Sequence, residues 1–456
     1  MPHSRNATRA LRAVAVVAVW CAVLMRGTPA DAQELRSSAD SGPAILATDG
    51  VLRLTLLYDA IRVSSPRLRA AEAQARASAA QALSATRPPD PRIQLGLMNR
   101  ELPGLAPMDP LGMAQIQVMQ MLPTAGKLGL AADIARTRAL GVELRARDLA
   151  WEIRAEVASA FYELYRAERS VSIARRSRLL MENVAAVADA MYRVGEVPQA
   201  DVLKARVEVA RMTEEITVME AMRRVALARL GGLLDRPLAD STPPAALPVF
   251  PASLSALAEL EDIALQGRPM LLAGDAELAA AEAARTLARR EIVPDLELGF
   301  QYGQRTGAMG VERMGSLMLG ASVPIFARQR QLPMRAEADA MRAMAVADLA
   351  AMRAETRARI GAAYAEWQRA RNLQTLYRST VLPQARAAVE AALASYRVGG
   401  VNLMTLLDNQ VTVNRYEQEL AALEAMEGVA LAELEMLMGR ELFDATGVRE
   451  TPRDRS

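Results

Sequence analysis

The hexapeptide Tyr192-Arg193-Val194-Gly195-Glu196-Val197 returns 204 residues later as Tyr396-Arg397-Val398-Gly399-Gly400-Val401. The apolar positions that follow it return too, Leu203, Val207 and Val209 matching Leu407, Val411 and Val413. Upstream, Ile153-Arg154-Ala155-Glu156-Val157 through Phe161 faces Thr356-Arg357-Ala358-Arg359-Ile360 through Tyr364, and Pro66, Gly96 and Pro123 face Pro269, Gly299 and Pro324. Agreement at separated places with an offset held to 201–204 residues indicates a duplication, with repeats at 51–238 and 255–442. Between them, residues 239–254 carry Pro243, Pro244, Pro248 and Pro251, which with Pro237 forbid a continuous helix and imply an extended linker.

Both repeats have one layout. A helix is expected at 52–86, rich in Ala, Arg, Glu and Gln, and ended by Arg87-Pro88-Pro89-Asp90-Pro91. Two runs of period two follow: Ile93, Leu95 and Leu97 alternate with Gln94 and Gly96, then Ile116 and Val118 alternate with Gln115 and Gln117. In the second repeat Leu296, Leu298, Phe300 and Tyr302 alternate with Glu297, Gly299, Gln301 and Gly303. Half-buried strands produce that alternation. From Lys127 to Tyr192 no proline occurs and the period is helical, which makes a rod of roughly 100 Å at 1.5 Å per residue. Ile153, Val157, Phe161, Leu164 and Val171 keep three- and four-residue spacing along it, so one stripe must pack against neighbours. Val194-Gly195-Glu196 reverses the chain into a return helix at 198–230; the second repeat reads as a rod at 334–396, interrupted by Pro383, and a return at 403–438.

Residues 1–32 read as an export signal, with Arg5, Arg9 and Arg12, an apolar run from Ala13 to Met25, and Ala30-Asp31-Ala32 as the cleavage site. Cys21 as a lipid anchor is disfavoured, because Trp20 stands where a small residue normally precedes a lipidated cysteine. The stretches 33–50 and 443–456, a polar extension and tail, are expected to lack structure. Removing the leader leaves 424 residues with 51 Lys+Arg against 52 Asp+Glu, and removes the chain's one His (His3) and one Cys. Cys–His and Ser–His catalysis, disulfides and structural zinc sites are excluded, no cofactor is implied, and an enzyme is the poorest reading. With balanced charge and 4% aromatics, nucleic acid is not an expected partner.

Strands with an apolar face and a polar or small face match membrane-barrel strands, one side toward lipid and the other toward a water-filled lumen. Four strands cannot close a barrel, so the chain must oligomerise if they enter a membrane. Long amphipathic helices joined to such strands would continue the barrel wall as a helical tube. The fold expected is mainly α with a small β-barrel part.

The paired motifs Tyr192-Arg193-Val194-Gly195-x5-Asp201-Val202-Leu203-x-Ala205 and Tyr396-Arg397-Val398-Gly399-x6-Leu406-Leu407-Asp408-x-Gln410, with Val381-Leu382-Pro383-Gln384-Ala385 upstream of the second, carry a resemblance. The chain resembles the TolC-like outer membrane efflux protein family over nearly its whole mature length. That resemblance implies a homotrimer in which duplicated helical hairpins form a periplasmic α-barrel tunnel joined to a 12-stranded transmembrane β-barrel, four strands per protomer, in the outer membrane lipid. It implies a passive conduit whose hairpin tips dock a periplasmic adaptor fed by an inner-membrane pump. The tips would be Gly195 and Val197 in one repeat and Gly399 and Val401 in the other. By similarity Asp408 falls at a constricting aspartate ring and Asp201 at the matching place in the first repeat. Thr405 stands where a second family aspartate would fall and Val401 where a gate arginine would, so the closing lock departs from the pattern. Both aspartates also read as acids in first helical turns, favoured there by the macrodipole, and Tyr192 and Tyr396 read either as gate residues or as helix-end packing.

The 24 methionines admit two readings. Thioethers are soft ligands for copper or silver; methionine also fills irregular cores and barrel faces. Met98, Met108, Met113, Met119 and Met121 surround the first strand pair, and Met309, Met314 and Met318 the second. The passage Leu122-Pro123-Thr124-Ala125-Gly126-Lys127 resembles the same junction in outer membrane components of heavy-metal resistance pumps, which leans the cargo toward metal cations. The competing readings are a periplasmic adaptor, which has one hairpin rather than two, and a filamentous coiled coil, which the strands and prolines disfavour.

Overall fold

A computed structural model describes residues 47–48, 50–101, 106–107, 112–307 and 310–443. The expected leader, His3, Cys21, most of the 33–50 stretch, the tail after 443, Met108 and Met309 lie outside the described residues.

The order is β1 (Ala47–Thr48), β2 (Val51–Leu52), α1 (Leu54–Ser64), α2 (Pro66–Ser84), β3 (Arg92–Met98), β4 (Arg100–Glu101), β5 (Ala106–Pro107), β6 (Met113–Leu122), α3 (Lys127–Arg193) and α4 (Gln199–Leu233), then α5 (Leu257–Gly267), α6 (Pro269–Arg290), β7 (Asp295–Gly307), β8 (Gly310–Ser322), α7 (Gln331–Leu376), a π-turn (Tyr377–Val381), α8 (Leu382–Tyr396) and α9 (Leu403–Met438). Among the described residues no helix is long and apolar enough to cross a membrane.

The helix expected at 52–86 is two helices. Ser65 is extended, the conformation favoured for a residue before proline, and Pro66 opens α2 at a position where its missing N–H costs nothing. Arg268-Pro269 does the same between α5 and α6. Pro383 does not stop the second rod: the Leu382 N–H reaches back five residues to the Tyr377 carbonyl, and the widened turn takes up the proline without ending the helix.

The 67-residue α3 is the spine. Its Ile153, Val157, Phe161, Leu164 and Val171 are buried at the expected spacing, but at mid-length Ala158, Ala160, Tyr162 and Tyr165 are buried as well. There the helix is enclosed by α1, α4 and α9, so the apolar stripe widens to most of its circumference. Toward the strands α3 lies between α2 and α6, and α6 packs on α7, which makes a wall of helices α2, α3, α6 and α7.

The sheet is antiparallel in the order β3-β6-β7-β8, so the repeats meet at β6 and β7. Register pairs Leu95 with Ile116 and Ile93 with Val118, then Ile116 with Tyr302 and Val118 with Phe300, then Phe300 with Leu317 and Leu298 with Leu319. Because cross-strand partners project to the same side, these apolar residues form one continuous face. It is bare: Leu95 is 77% exposed, Leu317 76% and Leu319 77%. The other face carries Gln94, Gln115, Gln117, Gln301 and Glu297.

The segment 239–254 is extended and held along its length. The Ala245 N–H donates to Glu168 at 2.8 Å, Leu52 and Ala245 form a parallel bridge, and Phe250 lies against Tyr162 and Phe443. Ala47 and Thr48, at the end of the stretch expected to lack structure, pair with Leu52 and Val51.

Candidate functional site at the hairpin tips

Both reversals use one backbone device. In the first, the Gly195 N–H donates to the Tyr192 carbonyl at 3.0 Å and the Glu196 N–H to Met191 at 2.9 Å. In the second, the Gly399 N–H donates to Tyr396 at 3.0 Å and the Gly400 N–H to Ser395 at 2.8 Å. This double closure of the last helical carbonyls places Gly195 at φ +82° and Gly399 at φ +70°, where a side chain is disfavoured. The recurring Tyr-Arg-Val-Gly is therefore the code for a helix stop. Asn402 then restarts the chain, its Oδ1 accepting the Thr405 N–H and the Thr405 hydroxyl, both at 2.9 Å. Thr405 is thus engaged in a helix cap.

The two hairpins meet near their tips in one apolar cluster containing Val184, Ala188, Met191, Val202, Leu403, Leu406 and Leu407. Val197 and Val401 are half-buried against it, whereas Val194 (71% exposed) and Val398 (83%) protrude. The repeat-related tyrosines part company: Tyr396 is 1% exposed inside the cluster and Tyr192 is 43% exposed at the surface. Burial, and secondarily the charge of Asp201, push the Tyr396 hydroxyl above its ordinary pKa, and its oxygen has no hydrogen-bond partner among the described residues. Tyr396 and Asp201 therefore share one neighbourhood. Asp201 lies in the first turn of α4 and is half-buried, while Asp408 is exposed and lies beyond the first turn of α9. Helix-dipole stabilisation accounts for Asp201 but not for Asp408.

Above the tips, Ser177, Gln410 and Asn414 are linked by hydrogen bonds, and Asn414 and Gln418 reach Glu215. Residues of α3, α4 and α9 thereby fix the axial register of one hairpin on the other. Among the described residues, no group of three or more His, Cys, Asp or Glu side chains is placed to hold a metal ion.

Sequence reasoning missed a second site, at the other end of α3. Lys127 is buried; its Nζ donates to the Val293 carbonyl at 2.7 Å and lies 3.0 Å from an Asp295 carboxylate oxygen that also accepts the Thr124 N–H. The Thr124 hydroxyl donates to the Pro294 carbonyl, and Arg290 to the Ala125 carbonyl at 2.7 Å. The Pro123-to-Lys127 passage is thus a clamp fastening the strand-to-helix corner of the first repeat to the helix-to-strand corner of the second.

The family description "Outer membrane efflux protein" matches residues 57–235 and 260–440. A pyoverdine export outer membrane protein, OpmQ, of Pseudomonas putida is 26% identical over 415 residues, which is 85% of each chain. The cobalt-zinc-cadmium resistance protein CzcC of Cupriavidus metallidurans is 28% identical over 275 residues, 58% of this chain and 62% of CzcC. The crystal structure of the outer membrane protein VceC of Vibrio cholerae superposes with a TM-score of 0.73 at 16% identity, covering 86% of this chain and 97% of VceC. The two matched segments carry both hairpins and all four long strands, and on that match the chain belongs to the outer membrane efflux protein family.

Proposed function

We propose that three copies of the chain close a 12-stranded barrel in the outer membrane and a helical tunnel beneath it, a passive conduit for material delivered by a periplasmic adaptor and an inner-membrane pump. The carrying observation is the sheet. Its apolar face is uncovered, and its edge strands β3 and β8 have no partner strand beyond the sheet among the described residues. An open sheet of this kind is untenable in water and unsatisfied in lipid. Pairing β8 of one copy with β3 of the next supplies both needs, and three copies give twelve strands.

At the far end, Val194 and Val398 are the apolar knobs that an adaptor would cover, on turns whose backbone is fixed by Gly195 and Gly399. Asp408 faces the opening as a ring of three carboxylates, attracting cations and binding divalent ions. The periplasmic-adaptor alternative has no support in the family match or in the relatives.

The test is planar-bilayer conductance of the detergent-extracted protein, with its mass in detergent measured on the same sample. A trimer forming small cation-selective pores is expected. A monodisperse species that folds but never conducts would overturn the conduit.

A further inference from the structure

Every described methionine of the four-stranded sheet lies on its polar face. Met98, Met113, Met119, Met121, Met314 and Met318 all share the parity of Gln94, Gln115, Gln117 and Gln301, while the opposite face is mostly Ile, Leu, Val and Phe, carries Gln120, Gln304 and Arg313, and has no methionine among the described residues. Methionine acting as apolar filler would fall on the bare face, where lipid rewards any hydrocarbon. Here it falls on the side that the conduit reading turns toward water.

The sulfur-bearing residues are also tiered. One cross-strand row reads Arg92, Met119, Gly299, Met318, the next Gln94, Gln117, Gln301, Ser316, and the next Gly96, Gln115, Gly303, Met314. Met98 pairs with Met113 in the row beyond. Each outer tier is centred on a glycine. A β-carbon on Gly299 would lie 3.2 Å from Met318 Cε and 3.7 Å from Met119 Cγ, and one on Gly303 would lie 2.7 Å from Met113 Sδ. The thioether arms therefore lean over the glycines from flanking strands. Met119 and Met318 stand two strands apart, about 9.6 Å at 4.8 Å per strand, within reach of two extended methionine side chains. Gln117 Nε2 stands 4.0 Å from Met318 Sδ, close to the upper limit for an N–H to sulfur contact, and steadies that arm from the glutamine tier.

We infer that the polar face of the sheet binds a soft monovalent cation, Cu+ or Ag+, between the Met119 and Met318 thioethers over Gly299, with a second such place around Gly303 formed by Met113 and Met314. The ion is cargo in transit. Two neutral thioethers suit a soft, low-coordinate ion and are poor ligands for Zn2+ or Co2+, which prefer imidazole, thiolate or carboxylate. This inference rests on the conduit reading, which makes the polar face the lumen, and it separates this chain's cargo from the divalent metals for which the relative CzcC is named.

Ag+ is the probe, since it does not change oxidation state under these conditions; chloride-free nitrate buffer keeps it soluble. The full-length protein in detergent should retain Ag+ through desalting and not Zn2+, and micromolar Ag+ should reduce the current of the pores. The quadruple variant M113L/M119L/M314L/M318L, which empties both places and is close to volume-conserving, should bind Ag+ more weakly by at least the roughly tenfold lost when only the supports of a metal's ligands are changed. M222L, which removes an exposed methionine of α4, should match the wild type. Without any variant, Ag+ should protect Met119 and Met318, but not Met222, from peroxide oxidation read by peptide mass. Equal Ag+ retention by the quadruple variant, equal retention of Zn2+, or absence of selective protection each overturns the site. Pores that conduct but ignore Ag+ sink the thioether site alone, whereas a folded protein that forms no pores sinks the conduit.

Discussion

Gly428 of α9 lies directly beneath the ring of Tyr162 in α3, so close that a β-carbon there would overlap the ring carbons. Tyr162 is fully buried, meets Phe161 edge-on at 5.4 Å and Phe250 of the linker at a tilt at 6.0 Å. One glycine thus lets the first repeat, the second repeat and the segment joining them share a ring. Gly428→Ala adds a single carbon where nothing can yield cheaply. It should lower stability by about 1–3 kcal/mol or more, as overpacking does, read as a lower melting temperature in detergent; an unchanged melting temperature would show that the rods slide apart freely.

The Lys127 clamp gives a second prediction. Its ammonium is buried against Asp295 and the Val293 carbonyl, so Lys127→Met leaves Asp295 short of its cation while keeping the hydrocarbon stem. Breaking one side of a buried pair costs about 3–5 kcal/mol. The double change Lys127→Met with Asp295→Asn should recover part of that loss. Equal melting temperatures for the single and double variants would show that the charge pairing is incidental to the corner.

Burial sets the pH response of the helical body. Glu435, Glu168 and Asp148 all have pKa values raised, chiefly by desolvation, although Glu435 accepts the Leu442 N–H at 2.9 Å and Asp148 the Met270 N–H at 3.1 Å. A carboxyl whose folded pKa is raised binds its proton more tightly folded than unfolded. Its contribution is therefore fully present below the unfolded value and is lost as pH rises through the raised one. Glu435→Gln imitates the protonated form and keeps an acceptor for Leu442. The stability gap in favour of the variant should widen from mild acid to neutral pH and close again on acidification. A gap independent of pH would assign the effect to packing.

Much of the architecture is legible in the repeat. Tyr-Arg-Val-Gly marks both reversals because closing the last helical carbonyls demands a left-handed residue at one fixed place, and strand parity is read from Leu296 to Tyr302 because every second residue of that stretch is apolar. What stays hidden depends on contacts remote in sequence. Lys127 meets Asp295 across 168 positions, with no periodic trace at either end. Tyr192 and Tyr396 occupy equivalent motifs, yet only one enters the inter-hairpin cluster, because the duplicated hairpins occupy unequal places in the bundle. The methionines were countable in the sequence, but their common face emerges only when register ties four strands together.

The conduit reading makes its sharpest demand on Asp408. The residue is exposed, lies past the stretch of α9 where the helix dipole would favour a carboxylate, and forms no ion pair of its own among the described residues that would explain its charge. Asp201 differs, being half-buried beside Tyr396 in the first turn of α4. A ring of three Asp408 carboxylates should therefore dominate cation selectivity and divalent block, with Asp201 secondary. Asp408→Ala should lower the preference for K+ over Cl− in reversal-potential measurements and weaken block by divalent cations, with little change in melting temperature because no buried contact is lost. Asp201→Ala should change selectivity less and stability more, since it alters the surroundings of a buried tyrosine. If Asp201→Ala abolished divalent block while Asp408→Ala left it intact, the constriction would belong to the first-repeat tip and the assignment of the ring would have to be exchanged.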